Sequence, residues 1–254
     1  MIKNMHKESG FEAIPRNTRK PGLLLRAGLG IGSLLTVAAC ENEAEQISSA
    51  NRTEVINYSV NAITRTVDFW DHKYGDIGLD RNTIPNLTLE FDDDTSSALC
   101  DIFTPDEEGE IFFCNVDGEM VLNPTAIYRL IEKIGLDPEN PTHLSAVTDV
   151  IAGHEFTHFL QKLRGDDQKV DVLTLELQAD CAAGAQLAET GFAVNASIEE
   201  LARSRELYEG IMLSLGDPRS DGKRTHGSPE ERLGQFTIGY DTGIGSCFSV
   251  VLGR

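Results

Sequence analysis

The chain has little positive charge. Its 254 residues include 22 Lys and Arg against 41 Asp and Glu, which gives a formal net charge of -19 at pH 7. Such a chain repels a phosphate backbone or an anionic surface, so nucleic acid is not expected as a partner. The hydrophobic content of 40% is ordinary for a folded protein, and the chain can therefore bury a core.

A long hydrophobic run is also missing. The uncharged stretch from Ala27 to Ala39 follows a basic lead and is too short to span a membrane as a stable helix. This pattern predicts an export signal peptide over residues 1–40. The segment ends in Val37-Ala38-Ala39-Cys40, which resembles the lipobox of bacterial lipoproteins and implies lipidation of Cys40 and anchoring to a membrane. By the same resemblance to lipoproteins of bacteria with two membranes, Glu41 after the cysteine implies the periplasmic face of the outer membrane. The alternative is an ordinary signal peptide without a lipid.

The rest of the chain contains no internal repeat and no low-complexity tract. Residues 41–50 are small and polar and predict a tether, so residues 51–254 are expected to form a single domain. Its first helix is predicted from one apolar stripe at spacings of three and four: Ile56, Val60, Ile63, Val67 and Trp70.

Three short segments, 87–91, 111–114 and 119–122, have the alternation or composition of strands. Helical patterns follow at about 124–134, 142–164, 171–190, 197–215 and 228–239. Capping boxes, Ser197 with Glu200 and Ser228 with Glu231, mark the starts of the last two helices. Together these elements predict an α+β fold with a small, mostly antiparallel sheet and a helical C-terminal part.

His154 and His158 are four residues apart on the predicted helix 142–164. They therefore lie on one face, where both imidazoles can reach a single zinc ion. Glu155 lies one step round the helix, where its carboxylate can take a proton from a bound water without ligating the metal. The alternative is a pair of core histidines satisfied by hydrogen bonds.

The next helix places Glu176 and Asp180 on its apolar face. Unpaired buried carboxylates are costly, which calls for a cation or hydrogen-bond donors opposite them. Glu176 is predicted to be the third zinc ligand, with water in the fourth position. Asp180 is predicted to accept the second ring N–H of a ligating histidine. The alternative is that both carboxylates form salt bridges to Arg203 or Arg205.

Four cysteines remain besides Cys40, an even number that suggests two disulfides in an exported chain. Three connectivities are possible. Cys100 with Cys114 and Cys181 with Cys247 is favoured, because the first pair brackets a short, turn-rich segment and the second ties the C-terminal tail to the helix of Glu176. The alternative is four buried free thiols.

Three blocks resemble the signatures of the bacterial neutral zinc metallopeptidase family. They are His154 to Gln161, Glu176 to Gly184 and Thr225 to Arg232, within a region of resemblance from about Val150 to Cys247. The resemblance implies a zincin-like, gluzincin-like domain in which His154, His158 and Glu176 hold one zinc ion and Glu155 is catalytic. Family members usually have a smaller residue at the position of Thr157 and a histidine at that of Phe159.

His226 lies in a loop two residues before the cap of the last helix. By analogy with gluzincins, it is predicted to donate to the oxyanion formed when a peptide carbonyl is attacked. The alternative is an exposed loop histidine, in which case Arg232 or Tyr240 would be the donor.

These residues predict an exported zinc metallopeptidase that hydrolyses a peptide or protein substrate with zinc-activated water and Glu155 as general base. An amidase acting on cell-wall peptides would differ only in its substrate. The alternative from another class is a catalytically inactive, zinc-binding envelope lipoprotein that acts as a binding module. In that case a fourth protein ligand such as His143 or Cys181 would close the zinc site.

Overall fold

A computed structural model describes residues 47–84, 88–91, 112–114, 119–190, 197–216 and 226–248. Residues Ile47–Arg254 belong to one compact unit. The predicted signal peptide, Cys40 and Cys100 lie outside the described residues. Among the residues that are described, no helix is long and apolar enough to cross a membrane.

Six α-helices dominate the described residues: α1 (Ser49–Asp71), α2 (Pro124–Lys133), α3 (Pro141–Arg164), α4 (Val172–Thr190), α5 (Ile198–Leu215) and α6 (Pro229–Thr242). Local sequence explains where several of them begin. Asparagine side chains cap α2 and α3, each followed by proline at the first helical position, where the missing N–H is no loss. Both predicted capping boxes, at the starts of α5 and α6, are confirmed.

The predicted α+β fold with a small, mostly antiparallel sheet is wrong. The core consists mainly of helix packed on helix. Strand pairing in the described ranges involves only the short segments β1 (Thr88–Phe91), β2 (Phe112–Cys114) and β3 (Glu119–Leu122). β1 pairs with β3 in parallel and β2 pairs with β3 antiparallel. Segments of four, three and four residues cannot form a face large enough to serve as a sheet layer, so the helices determine the architecture.

α3 and α4 form the centre of the core. Nearly every residue of α3 from Leu144 to Gln161 is buried, and so is most of α4 from Glu176 to Leu187. α1 packs against α3, and α6 packs against α4. Polar residues on the two central helices must therefore find their partners inside the protein.

The buried face of α1 overlaps the predicted apolar stripe only in part. Ile63 and Trp70 are buried as predicted, but Val60 is 37% exposed, and Ser59 and Thr66 are buried instead. The Thr66 hydroxyl donates to the Ala62 carbonyl and accepts a hydrogen bond of 2.8 Å from the Gln186 amide of α4. The buried face of α1 therefore includes polar residues whose side chains form hydrogen bonds. A prediction from apolar spacing alone does not identify such residues.

α4 and α6 approach each other until their backbones touch. A Cβ atom at Gly184 would overlap the carbonyl of Phe236, and one at Gly239 would overlap the carbonyl of Cys181. Only glycine allows this spacing. The consequence is that side chains from the start of α6 reach the polar face of α4.

A disulfide ties the end of the described chain to α4. The sulfurs of Cys181 and Cys247 are 2.11 Å apart, and their Cα atoms are 5.4 Å apart. This predicted pairing is therefore confirmed. The other predicted pair, Cys100 with Cys114, lies outside the described side chains. The Cys181–Cys247 bond joins residues 66 positions apart, so it holds α4 and the segment after α6 together in the unfolded chain as well.

Substitution of Gly239 tests the close approach of α4 and α6. Gly239→Ala should lower the free energy of unfolding by about 1–3 kcal/mol, because the new methyl group forces the two backbones apart. Gly234→Ala, on the same helix with open space around its Cβ position, should raise it by about 0.5–1 kcal/mol. Urea unfolding measures both. Equal effects in the two variants would contradict the proposed backbone contact.

Candidate metal centre

The two histidines of α3 face each other at the centre of the core. His154 is 8% exposed, and its ring is centred 4.7 Å from that of His158. Their Nε2 atoms are 3.1 Å apart. Since both residues lie on a helix that is buried over most of its length, the separation of four residues directs both rings to one point inside the protein.

α4 supplies Glu176 to the same point. One oxygen of Glu176 lies 3.1 Å from His154 Nε2, and the other lies 3.3 Å from His158 Nε2. These three side chains are close enough together to hold a metal ion, since a ligand atom from each lies within 4.8 Å of the others. The prediction that they can form a metal site is therefore confirmed.

Asp180 lies one turn further along α4 and contacts the other nitrogen of His154. Its Oδ1 atom is 2.9 Å from His154 Nδ1. Arg232 of α6 donates to both oxygens of Asp180, at 2.8 and 2.7 Å, and to the Leu215 carbonyl at 3.0 Å. The alternative partner Arg205 is instead paired with Glu209 and Asp241. A buried ion pair between α4 and α6 thus orients the imidazole of His154.

Burial, neighbouring charges and hydrogen bonds shift the pKa values of Asp180 and His154. Burial alone would raise the pKa of Asp180, but the Arg232 charge, together with the hydrogen bond and charge of His154, holds it below its ordinary value. For His154, burial works to lower the pKa, but the hydrogen bonds to Asp180 and Glu176 raise it to about 10. A metal ion that binds through Nε2 must therefore displace a proton at neutral pH.

The partner of His158 is Gln161, which the sequence analysis did not single out for a role. Gln161 is 2% exposed, and its Oε1 atom lies 2.8 Å from His158 Nδ1. A signal was available, since a residue three positions after His158 lies on the same helix face. A buried glutamine on a metal-binding face must have hydrogen-bond partners, and the ring of His158 is the nearest candidate.

Glu155 lies beside the three ligands without joining them. It is partly exposed, and burial raises the pKa of its carboxyl, while the charges of His154 and His158 act to lower it. A carboxyl with a raised pKa that is close to a metal site is suited to accept and return a proton.

The three candidates for the oxyanion donor differ in their surroundings. His226 is exposed, but partial burial of its ring lowers its pKa. The negative charge of Glu176 acts to raise the same pKa, which shows that the two side chains are close. Arg232 already donates to Asp180 and Leu215. Tyr240 packs against Phe236 and lies under the guanidinium of Arg205. His226 and Arg232 both interact electrostatically with Glu176, but the guanidinium of Arg232 is already bound to Asp180 and Leu215.

The two residues proposed as a closing fourth ligand are engaged elsewhere. Cys181 is in the disulfide with Cys247. His143 Nδ1 accepts a hydrogen bond of 3.1 Å from the backbone of Asp137. Within the described part of the chain, the metal-ligating cluster consists of His154, His158 and Glu176.

Comparison with known proteins adds no assignment: no family model, no curated protein and no solved structure matches the chain. The resemblance to neutral zinc metallopeptidases therefore stays a prediction that rests on the three sequence blocks.

Substitution of Arg232 tests the buried ion pair. Arg232→Met should lower the free energy of unfolding by about 3–5 kcal/mol, because it leaves the Asp180 charge buried without its cation. Arg205→Met removes a guanidinium that is also paired with a carboxylate but lies near the surface, and should cost at most about 1 kcal/mol. Denaturant unfolding of both variants provides the comparison. Similar losses would show that the Asp180–Arg232 pair is no more important than a surface pair.

Proposed function

We propose that this protein is a zinc-dependent metallopeptidase in which His154, His158 and Glu176 hold the ion. The observation that carries the proposal is the convergence of three ligand atoms from α3 and α4 on one buried point. The choice of a peptide bond as substrate rests on Glu155 beside this point and on the resemblance of the three sequence blocks.

The spacing of the ligand atoms fits zinc. Their separations are 3.1 Å between the two Nε2 atoms and 3.1 and 3.3 Å from the Nε2 atoms to the Glu176 oxygens. Tetrahedral zinc with bonds of about 2.0–2.1 Å sets its ligands about 3.3 Å apart. Two imidazoles and one carboxylate are also a ligand set known for catalytic zinc.

The charges around the site favour a divalent cation. Glu155, Glu176 and Asp180 are three carboxylates, and in the described part of the chain the guanidinium of Arg232 acts on all of them. With the histidines neutral, two negative charges remain, which a divalent ion balances. Without the ion, the hydrogen bonds to Asp180 and Glu176, together with the charges of these two carboxylates, keep a proton on His154.

Three protein ligands suit a catalytic site, because a structural zinc site would be closed by a fourth. When bound, zinc would supply Lewis acidity that lowers the pKa of a nearby water molecule. Glu155 would take a proton from water and pass it to the leaving amine. His226 donates a hydrogen bond to the carbonyl oxygen as it gains charge. Asp180 and Arg232 hold His154 in place throughout.

The inactive binding lipoprotein is the less favoured function, because His143 and Cys181 have other partners and so do not close the site. Export through the signal peptide, lipidation at Cys40 and a position on the periplasmic face of the outer membrane complete the proposal. These rest on residues 1–41 of the sequence.

Metal analysis tests the ligand set. The full chain should bind one equivalent of zinc, and His154→Ala should lose it, because a ligand is removed together with the partner of Asp180. His143→Ala should bind zinc like the wild type. Atomic absorption after dialysis against a weak chelator measures the content. Full zinc retention by His154→Ala would overturn the assignment.

Substitution of Glu155 tests the activity. Glu155→Gln should retain zinc and lower the rate of peptide hydrolysis by about a hundredfold to ten-thousandfold, because the amide cannot act as the general base. Glu132→Gln, at an exposed position on α2, serves as the matched control and should keep full activity. Cleavage of a quenched fluorescent peptide library measures both. An active Glu155→Gln protein would refute the mechanism.

A further inference from the structure

Gln161 makes hydrogen bonds on both sides of its buried amide. Its Oε1 atom lies 2.8 Å from His158 Nδ1. Its Nε2 atom donates to the Leu175 carbonyl at 2.8 Å and to Gln178 Oε1 at 3.2 Å. All of these partners belong to α3 or α4, the two helices that carry the metal ligands.

The chemistry of the partners leaves the amide one orientation. The Leu175 carbonyl can only accept a hydrogen bond, so the NH₂ group of Gln161 must face it. The oxygen of Gln161 then faces His158 and can itself only accept. His158 must therefore carry its proton on Nδ1, which leaves the lone pair of Nε2 free for a metal ion.

The position of Leu175 gives this amide a second effect. Leu175 immediately precedes Glu176, the ligand from α4. One side chain thus contacts a ligand on α3 and the backbone next to a ligand on α4. Gln161 therefore bridges the two helices beside the contact between His158 Nε2 and Glu176, which is 3.3 Å long.

We propose that Gln161 is a positioning residue for the metal centre: it selects the tautomer of His158 and sets the spacing between His158 and Glu176. The inference rests on the zinc site proposed above. It assigns each histidine a different kind of hydrogen-bond partner: the charged Asp180–Arg232 pair for His154 and the neutral amide of Gln161 for His158. Because the amide adds no negative charge, a divalent ion still balances the charge of the site.

Zinc affinity of the full chain, measured by competition with a chromophoric chelator, tests this role. Gln161→Met keeps the length of the side chain and removes its hydrogen bonds, and it should weaken zinc binding by about 10- to 100-fold. Gln186→Met is the matched control, because Gln186 is a buried glutamine of α4 whose amide bonds to Thr66 of α1. It should bind zinc like the wild type.

Cobalt substitution provides a readout that a purely structural role would not change. The visible absorption of bound Co²⁺ depends on the number and arrangement of its ligands. Its bands should shift or weaken in Gln161→Met and stay the same in Gln186→Met. If Gln161→Met does not fold, Gln161→Asn retains a buried amide that is one methylene too short for His158, and the same loss of affinity is expected.

Wild-type affinity and an unchanged cobalt spectrum in a folded Gln161 variant would overturn the proposal. Equal losses in Gln161→Met and Gln186→Met would overturn it too, since they would show a general effect of losing a buried amide. A wild-type chain that binds no zinc would remove this proposal and the zinc site together. Weakened binding in Gln161→Met, in a wild type that binds zinc but cleaves no peptide, would support Gln161 and refute only the peptidase proposal.

Discussion

A charge buried in the core must have a partner there, and the arrangement of α3, α4 and α6 meets this constraint. Glu176 and Asp180 lie on a helix that is surrounded by others, where an unpaired carboxylate is very unfavourable. Asp180 is held between Arg232 and His154, and Glu176 lies between the two imidazoles. His154, Glu176 and Asp180 thus each depend on a group from another helix.

This dependence links the metal centre to the packing of distant backbone. Arg232 reaches Asp180 only because α6 lies against α4, and the closest part of that contact is made by Gly184 and Gly239. The disulfide from Cys181 ties the segment after α6 to the same helix. Since α4 carries ligands on one face and these contacts on another, its position affects both the core and the metal centre.

The side chains around the candidate metal centre differ in how firmly hydrogen bonds hold them. His154 and His158 each have a hydrogen-bond partner on Nδ1, the nitrogen that faces away from the point where the candidate ligands meet. Preorganised ligands of this kind avoid the cost of ordering the site when an ion binds. Glu155 and His226 lie nearer the solvent. In the proposed mechanism the ligands stay fixed, Glu155 transfers the proton and His226 donates a hydrogen bond.

Local patterns in the sequence determined the helices and the candidate metal ligands of this protein. The spacing of His154 and His158, the acidic residues on the apolar face of α4 and the two capping boxes all act within a few residues, so they can be recognised without knowing the fold. Only the tertiary structure decided that helices rather than a sheet form the core and which face of α1 is buried. It also decided that Arg232 binds Asp180 and that Gln161 binds His158. These depend on which helices meet, because a buried polar group is satisfied by neighbours far away in the chain, such as Arg232 for Asp180.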